Sequence, residues 1–454
     1  MPQTHLAEGR NQVLTALLEH VERADALLVL KAPPGSGKTF VTTRAVALAM
    51  HRKRRVAVAA QTNAQADDFC RRMAAEFPRI PVHRWASAQR GALQLGDSVT
   101  WITRTADLPA GPCVVVATSA KWAVADLDAH DPFDVLFIDE AWQMCWADFM
   151  LLGTVAPRFV LVGDPGQIAP VVPIDVSRWQ TSRRPPHVPA PEVILRDRTL
   201  PVRVIELPVS TRLPHDTCAM VQSFYDFAFE SWSAPGERRV LLPPAATAHP
   251  VDDALALLTT GSVALMTLAT PPGGPPMEED VALAQAAAEV VRRLLDRQAR
   301  VVTEEGETTL RPEDIGVSAT HRVMNTRITD ALGALAPKVR VDTPERWQGL
   351  ERKVMVAVHP MSGVTQPTPF DLSTGRLCVM ASRHSVGLVL VSRDHVGDTL
   401  DAYLPVAAQA LGQRDEAGRG RAQNLSLWQY LVQHQRVAPM TPTTRSMDSD
   451  APSR

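Results

Sequence analysis

The chain is poor in the features that commit a sequence to an extracellular or membrane life. Its five cysteines, Cys70, Cys113, Cys145, Cys218 and Cys378, are scattered, with no CxxC pair and no Cys/His cluster. A disulfide framework and structural zinc are therefore not expected, and a reducing compartment fits. No stretch approaches the ~18 uninterrupted apolar residues of a membrane helix. The N-terminus is polar and charged, without the apolar core of a signal peptide. Charge of one sign is also missing, since Lys+Arg 47 stand against Asp+Glu 49 for a formal net charge of -2. Global charge thus argues neither for nor against a nucleic-acid partner, which would need a local basic track. There are no internal repeats. A soluble cytoplasmic protein with no membrane partner is the expectation.

The chain is rich in length and pattern. Its 454 residues allow two or three domains, and 45% hydrophobic content allows real cores. Short apolar runs at Ala26–Leu30, Val56–Ala60, Val114–Thr118, Val135–Asp139 and Phe159–Val162 alternate with helical patterns at Phe40–Met50 and Ala64–Phe77. This alternation predicts a parallel sheet covered on both faces. After a Pro- and Arg-rich loop, Ser182 to Pro191, it resumes. Val263–Met266, Ile315–Ser318, Val339–Val341, Val354–Val358 and Leu388–Val391 read as strands, and Val281–Arg297 as a helix. Ala234 to Pro276 carries little pattern beyond that first strand. From about Ala438 the chain is Thr/Pro/Ser/Asp-rich, and disorder is expected there.

The strongest chemical signal is Ala32-Pro33-Pro34-Gly35-Ser36-Gly37-Lys38-Thr39, between a strand and a helix. In that context the segment reads as a P-loop. The backbone N–H groups of Gly35, Ser36 and Gly37 and the helix N-terminus would cradle phosphates. Lys38 would reach the β- and γ-phosphates, and Thr39 would ligate Mg²⁺. The first position holds Ala32 where the pattern asks for glycine. About a hundred residues on, Phe133-Asp134-Val135-Leu136-Phe137-Ile138-Asp139-Glu140 is an apolar strand ending in two carboxylates. Asp139 would hold the metal and Glu140 would orient or deprotonate the attacking water. ATP and Mg²⁺ are the expected cofactors.

Asp139-Glu140-Ala141-Trp142-Gln143 resembles the DEAxQ motif of superfamily 1 helicases, in the nonsense-decay and replication-helicase branch, and further motifs come in that family's order. Asn11-Gln12 resembles the glutamine motif that reads the adenine edge. Ala59 to Asp67 resembles motif Ia and Val116-Ala117-Thr118-Ser119 the next backbone-contacting motif. Gly163 to Pro170 resembles motif III, Leu207 to Arg212 motif IV, Asp342 to Glu351 motif V, and Val379 to Arg383 motif VI.

The resemblance covers about Asn11 to Arg393 and implies an α/β fold of two tandem RecA-like P-loop domains, with parallel sheets flanked by helices. It assigns 1–200 to the first domain and 201–410 to the second, with 411–454 a tail. ATP would sit in the cleft between the two, with Gln167 as γ-phosphate sensor. Arg212 and Arg383, the latter an arginine finger, would come from the second unit. Gln12 and Glu351 would add nucleotide contacts. Thr62, Asn63, Thr118 and Thr343 would hydrogen-bond the phosphates of single-stranded DNA or RNA, positioning the strand without reading sequence. Arg322 would belong to a further motif of the second unit. For the threonines and Asn63, helix capping is the competing role, and the two can coexist at Thr62-Asn63.

Three departures stand out. Only Pro78 to Pro112 is available where relatives insert an accessory barrel, too little for an independent domain. Thr211 stands where many relatives place an adenine-stacking tyrosine. Motif VI reads Ala381-Ser382-Arg383-His384. The expected activity is ATP-dependent translocation on single-stranded nucleic acid, 5′ to 3′ by resemblance, with or without duplex unwinding. The alternative is a nucleotide-driven switch acting on a protein partner. A small-molecule P-loop kinase needs only one such unit. The basic run His51 to Arg55 reads as a solvated loop at a helix C-terminus rather than a phosphate-binding edge. Trp85, Trp101 and Trp122 are candidate base-stacking groups, whereas Trp142 and Trp146 are expected to pack in the core. The Ala-, Arg- and Pro-rich composition suggests a high-GC bacterial or phage source.

Overall fold

The computed structural model describes residues 2–23, 26–128, 130–179, 181–404 and 415–440. The chain divides into two compact units: Met1–Leu213 with Phe224–Trp232 in the first, and Pro214–Ser223, Ser233–Val406 and the region from Glu416 in the second. The segment carrying Arg212 therefore belongs with the P-loop, not with the second unit.

The first unit is built on an eight-stranded sheet. Its strands are β1 (Leu27–Lys31), β2 (Val56–Ala60), β3 (Val82–Trp85), β4 (Val99–Ile102), β5 (Val114–Thr118), β6 (Val135–Ile138), β7 (Phe159–Gly163) and β8 (Val202–Glu206). Their order is β4-β3-β5-β2-β6-β7-β1-β8, and every pairing is parallel. The central strands are apolar on both faces because helices cover both. Leu28 and Leu30 of β1 pack with Val13 and Leu17 of α1 (Pro2–Glu22), Val41 and Ala45 of α2 (Lys38–His51), and Phe69 and Met73 of α3 (Asn63–Glu76). Leu27 and Val29 point the other way, into a core with Trp85, Trp122, Trp142 and Trp146. Those four tryptophans are buried, which removes Trp85 and Trp122 from the candidate base-stacking groups.

The region between Pro78 and Pro112 supplies β3 and β4, which extend the sheet at one edge; it is not a separate barrel. The basic run has a structural use. Arg55 is buried, and its guanidinium donates to the Pro109 and Gly111 carbonyls at 2.7 and 2.6 Å. Two short strands, β9 (Val209–Ser210) and β10 (Glu230–Ser231), pair in parallel and bring Phe224–Trp232 back to this unit.

The second unit holds β11 (Arg239–Leu241), β12 (Val263–Leu268), β13 (Arg300–Thr303), β14 (Gly306–Thr309), β15 (Ile315–Ser318), β16 (Arg340–Asp342), β17 (Arg352–Val358), β18 (His384–Arg393) and β19 (Val437–Met440). Six of them form a parallel sheet in the order β16-β15-β17-β18-β12-β19. Helices Val251–Leu257, Val281–Asp296 and Arg322–Leu332 pack on it through one apolar core. The low-pattern segment Ala234 to Pro276 is not irregular throughout. Its β11 joins the β13–β14 hairpin in a small antiparallel sheet, and β12 lies within the main one. The expected tail also differs from the structure. Glu416–Gln433 is a helix, and β19 pairs with β12 beyond the point where order was expected to end. Residues 441–454 lie outside the described residues. The fold class is the expected one: two α/β units, each a parallel sheet flanked by helices.

Candidate nucleotide site

In a parallel sheet all strands point one way, so the residues at their carboxyl ends collect at one edge. The first unit uses that edge. The P-loop comes after β1, Thr62 and Asn63 come after β2, Thr118 ends β5, Asp139 and Glu140 come after β6, and Asp164 to Gln167 come after β7.

The P-loop leaves β1 with Ala32 N donating to Gly163 O at the end of β7, 2.9 Å away. Gly35 and Gly37 take φ values of 73° and 84°, the left-handed region that glycine enters without a Cβ penalty. Gly35 is also required by space: a Cβ there would lie 2.2 Å from Arg212 Cβ. The 210–212 segment clamps the loop. Ser210 Oγ donates to Pro34 O at 2.6 Å, and Thr211 donates to Gly35 O through both N (2.9 Å) and Oγ1 (2.7 Å). Arg212 is thereby fixed beside the P-loop by the bonds of its two preceding neighbours.

Lys38 opens α2, and its Nζ lies 2.6 Å from Glu140 Oε1, with both side chains mostly buried. Burial alone would lower the Lys38 pKa, but the charges of Glu140, Asp139 and Asp164 outweigh it and hold the ammonium raised above its ordinary value. Burial, followed by the Glu140 charge, pushes Asp139 up to about 6 against the opposing pull of Lys38. Glu140 itself has φ 51°, a left-handed conformation that costs a non-glycine residue ~1–2 kcal/mol. That turn leaves its backbone N donating to Asp139 Oδ1 at 3.0 Å and its carboxylate facing Lys38. Asp164 is buried, accepting from Gly166 N at 2.9 Å and from the Tyr225 hydroxyl at 3.1 Å.

A chain of amides crosses this edge. The Thr62 backbone N–H donates to Gln65 Oε1 at 2.9 Å while Gln65 N donates to Thr62 Oγ1 at 3.2 Å, a capping box at the start of α3. Gln65 Nε2 donates to Gln143 Oε1 at 3.3 Å, and Gln143 Nε2 donates to Gln167 Oε1 at 3.0 Å. Asn63 is exposed, and its Oδ1 accepts from buried Arg84 at 2.7 Å, which turns its amide N–H₂ away from that guanidinium. Thr118 caps a short helix through Lys121 N. Capping and an outward-facing donor thus coexist at Thr62 and Asn63.

In the second unit Thr343 comes after β16 and opens the helix Pro344–Trp347. Trp347 roofs Gly316, where a Cβ would lie 2.4 Å from its ring, and donates Nε1–H to Val317 O at 3.1 Å. Glu351 is exposed and Arg322 is exposed. Arg383 is buried just before β18, its carbonyl accepting from Arg352 N at 2.9 Å. The neighbouring His384 ring meets Thr217 Oγ1 at 2.7 Å, which in turn meets Ser262 Oγ at 2.6 Å.

The structure therefore brings Gly35, Ser36, Gly37, Lys38, Thr39, Asp139, Glu140, Gln167 and Arg212 to one edge of the first unit. Val13, Leu17 and Val21 form the buried face of α1, and Asn11 and Gln12 lie on its exposed face. Among the described side chains of α1, Arg10, three residues before Val13, reaches the P-loop. Its Nη2 would lie 2.7 Å from a Cβ placed on Gly37. The spacing of the apolar positions at 13, 17 and 21 is the sequence signal for this placement.

The residues fit a nucleotide with its metal. Ser36 Oγ is buried and has no hydrogen-bond partner among the described residues, and Gly35 and Gly37 bring no side chain of their own to the loop. Thr39 and Asp139 are an oxygen-donor pair of the kind Mg²⁺ takes alongside phosphates and water. Among the described residues no cluster of three or more His, Cys, Asp or Glu forms a separate metal site.

A family described as AAA domain (AAA_30) matches residues 6–197. No curated protein matches. Among solved structures, the arterivirus nonstructural protein 10 helicase is 15% identical with a TM-score of 0.43, covering 84% of this chain and 63% of that one. The PRRSV helicase is 14% identical with a TM-score of 0.40, covering 84% and 54%. The DUF1998 helicase MrfA, in a complex with DNA and AMPPNP, is 12% identical with a TM-score of 0.41, covering 90% and 54%. This chain spans less than two thirds of each of those chains. Among the described residues no helix is long and apolar enough to cross a membrane.

Proposed function

We propose that this chain is an ATP-dependent superfamily 1 helicase or single-strand translocase, moving 5′ to 3′. The observation that carries this reading is the 2.6 Å Lys38–Glu140 pair at the strand edge that also holds Asp139, Asp164 and Gln167. A lysine reserved for phosphate and a carboxylate reserved for water hold each other until a nucleotide arrives. A triphosphate would draw Lys38 away and free Glu140 to accept the proton of a water attacking the γ-phosphorus in line. Gln167 would orient that water, and Arg212 and Arg383 would stabilise the charge that develops. Mg²⁺, when bound through Thr39 and Asp139, would neutralise charge on the phosphate oxygens. Thr62, Asn63, Thr118 and Thr343 would hold the phosphates of the strand. Glu351 would contribute on the nucleotide side.

The decisive experiment is the steady-state ATP hydrolysis rate with and without single-stranded DNA and RNA, with Lys38→Ala as the blank. Strong stimulation by one of them is the expected result and names the track. A rate indifferent to both favours a second reading, a nucleotide-driven switch acting on a protein partner. One observation favours that alternative: residues 78–112 are spent on β3 and β4 at the sheet edge rather than on an accessory domain that could part a duplex.

A further inference from the structure

Among the described residues Arg10 is a cation without a counter-charge. Its guanidinium carbon lies 4.8 Å from the centre of the Phe40 ring, two residues beyond Lys38. Arg44 stacks on the same ring at 3.3 Å but is balanced, donating to Glu76 at 2.7 Å. Among the described residues no carboxylate pairs with Arg10, and its Nε is buried without a hydrogen-bond partner. Burial and the neighbouring Arg44 charge both push the Arg10 pKa down. A half-buried guanidinium kept beside a second arginine is costly unless an anion completes it. Its Nη2 borders Gly37, the last glycine of the loop that would cradle phosphates.

We infer that Arg10 is a nucleotide-binding residue, donating from α1 to the phosphate chain of the nucleotide held at Gly35–Thr39. This rests on the nucleotide site proposed above and deepens it, since neither the P-loop pattern nor the motif resemblance assigns Arg10. A guanidinium has five donors and no acceptor. It cannot reproduce the paired donor and acceptor with which a glutamine amide reads adenine. Its grip is on the anion, so it is shared by adenine and guanine nucleotides. The ring of Phe40 supplies the flat surface that holds the guanidinium in place.

The test is equilibrium binding of ADP and GDP to the full chain and to Arg10→Ala, Arg10→Met, Arg10→Lys and Lys38→Ala, with thermal melting as the check on folding. Arg10→Met keeps the stem over Phe40 and removes only the charge. The expected result is a roughly 10- to 100-fold weaker Kd for Arg10→Ala and Arg10→Met, the loss of a charge-assisted hydrogen bond. The loss should be equal for ADP and GDP. Arg10→Lys, which keeps charge but not the planar fork, should recover part of it. Arg10→Met binding both nucleotides as the wild type does, while Lys38→Ala loses them, would overturn the inference and leave the nucleotide site standing. A loss confined to one nucleotide would overturn the phosphate assignment. Wild-type binding indifferent to Lys38→Ala would remove the site and the inference together.

Discussion

The two units share an architecture and differ in the turns at the ends of their strands. Each is a parallel sheet with helices on its faces, and in each the chain turns at the carboxyl ends of the strands. In the first unit those turns carry a glycine loop, a lysine, three carboxylates and a run of amides that hydrogen-bond one another. In the second, the turn after β16 carries Thr343, whose side chain makes no capping bond, Trp347 roofs Gly316, and Arg383 lies buried before β18. The sheet supplies the platform in both cases, and a handful of turn residues decides which platform can do chemistry.

The largest effects should fall on the first unit. Lys38→Ala and Glu140→Gln should each abolish measurable ATP turnover, because each removes one half of the buried pair and one role in the reaction. Steady-state phosphate release checks both. Normal hydrolysis in Glu140→Gln would take the proton-accepting role from that residue. Next comes the contribution we propose for the second unit. Arg383→Ala should keep ATP binding and lower hydrolysis by ~10³-fold or more, the worth of an arginine acting on the transition state. An equal loss of binding would mean that Arg383 holds the ground state instead.

How much of this is legible in the sequence depends on whether a property is local. The apolar runs Val56–Ala60 and Val114–Thr118 read as strands, and the structure has them with those bounds, with Val82–Trp85 and Val99–Ile102 added at the sheet edge. That they extend the main sheet is a matter of pairing, which alternation does not encode. The P-loop is legible because glycines, lysine and flanking elements are contiguous. The motif match on α1 falls on Asn11-Gln12, while the apolar positions of that helix put residue 10, not 12, on the inner face; the motif hides Arg10 and the periodicity reveals it. The fold of residues 416–440 is hidden by polar composition in the same way. Asn424, Leu427 and Leu431 are buried within an otherwise hydrophilic stretch. The tryptophans show the same limit from the other side, since an aromatic residue near a motif looks alike whether it faces solvent or the core.

A smaller effect would sharpen the role of the amide chain. Gln143→Ala breaks the link from Gln167 to Gln65 and the Thr62 cap without touching Lys38 or Glu140. If nucleic-acid binding at α3 reaches the role we propose for Gln167 by this route, stimulation by single strands should fall ~5- to 10-fold, the scale of a modest coupling energy. The ratio of stimulated to basal hydrolysis is the measurement, and an unchanged ratio would assign the chain to structure alone.

The remaining effect belongs to the second unit and is one of stability rather than of rate. His359 is buried, with Nδ1 accepting from Met361 N at 3.2 Å, and burial, helped by the charge of His395, pushes its pKa from 6.5 down to about 3. The folded state keeps this ring neutral while the unfolded chain takes up a proton below pH 6.5. The stability it contributes is therefore complete above pH 6.5 and drains away as the pH falls toward 3, by at most about tenfold in the folding constant per unit. Hydrogen exchange read strand by strand at pH 7 and pH 4.5 should show β17 and β18 losing protection. His359→Asn, which keeps an acceptor for Met361 N but does not titrate, should reduce that loss. The strands of the first unit supply the internal reference: equal loss in both units, unaltered by the substitution, would place the acid sensitivity elsewhere than at His359.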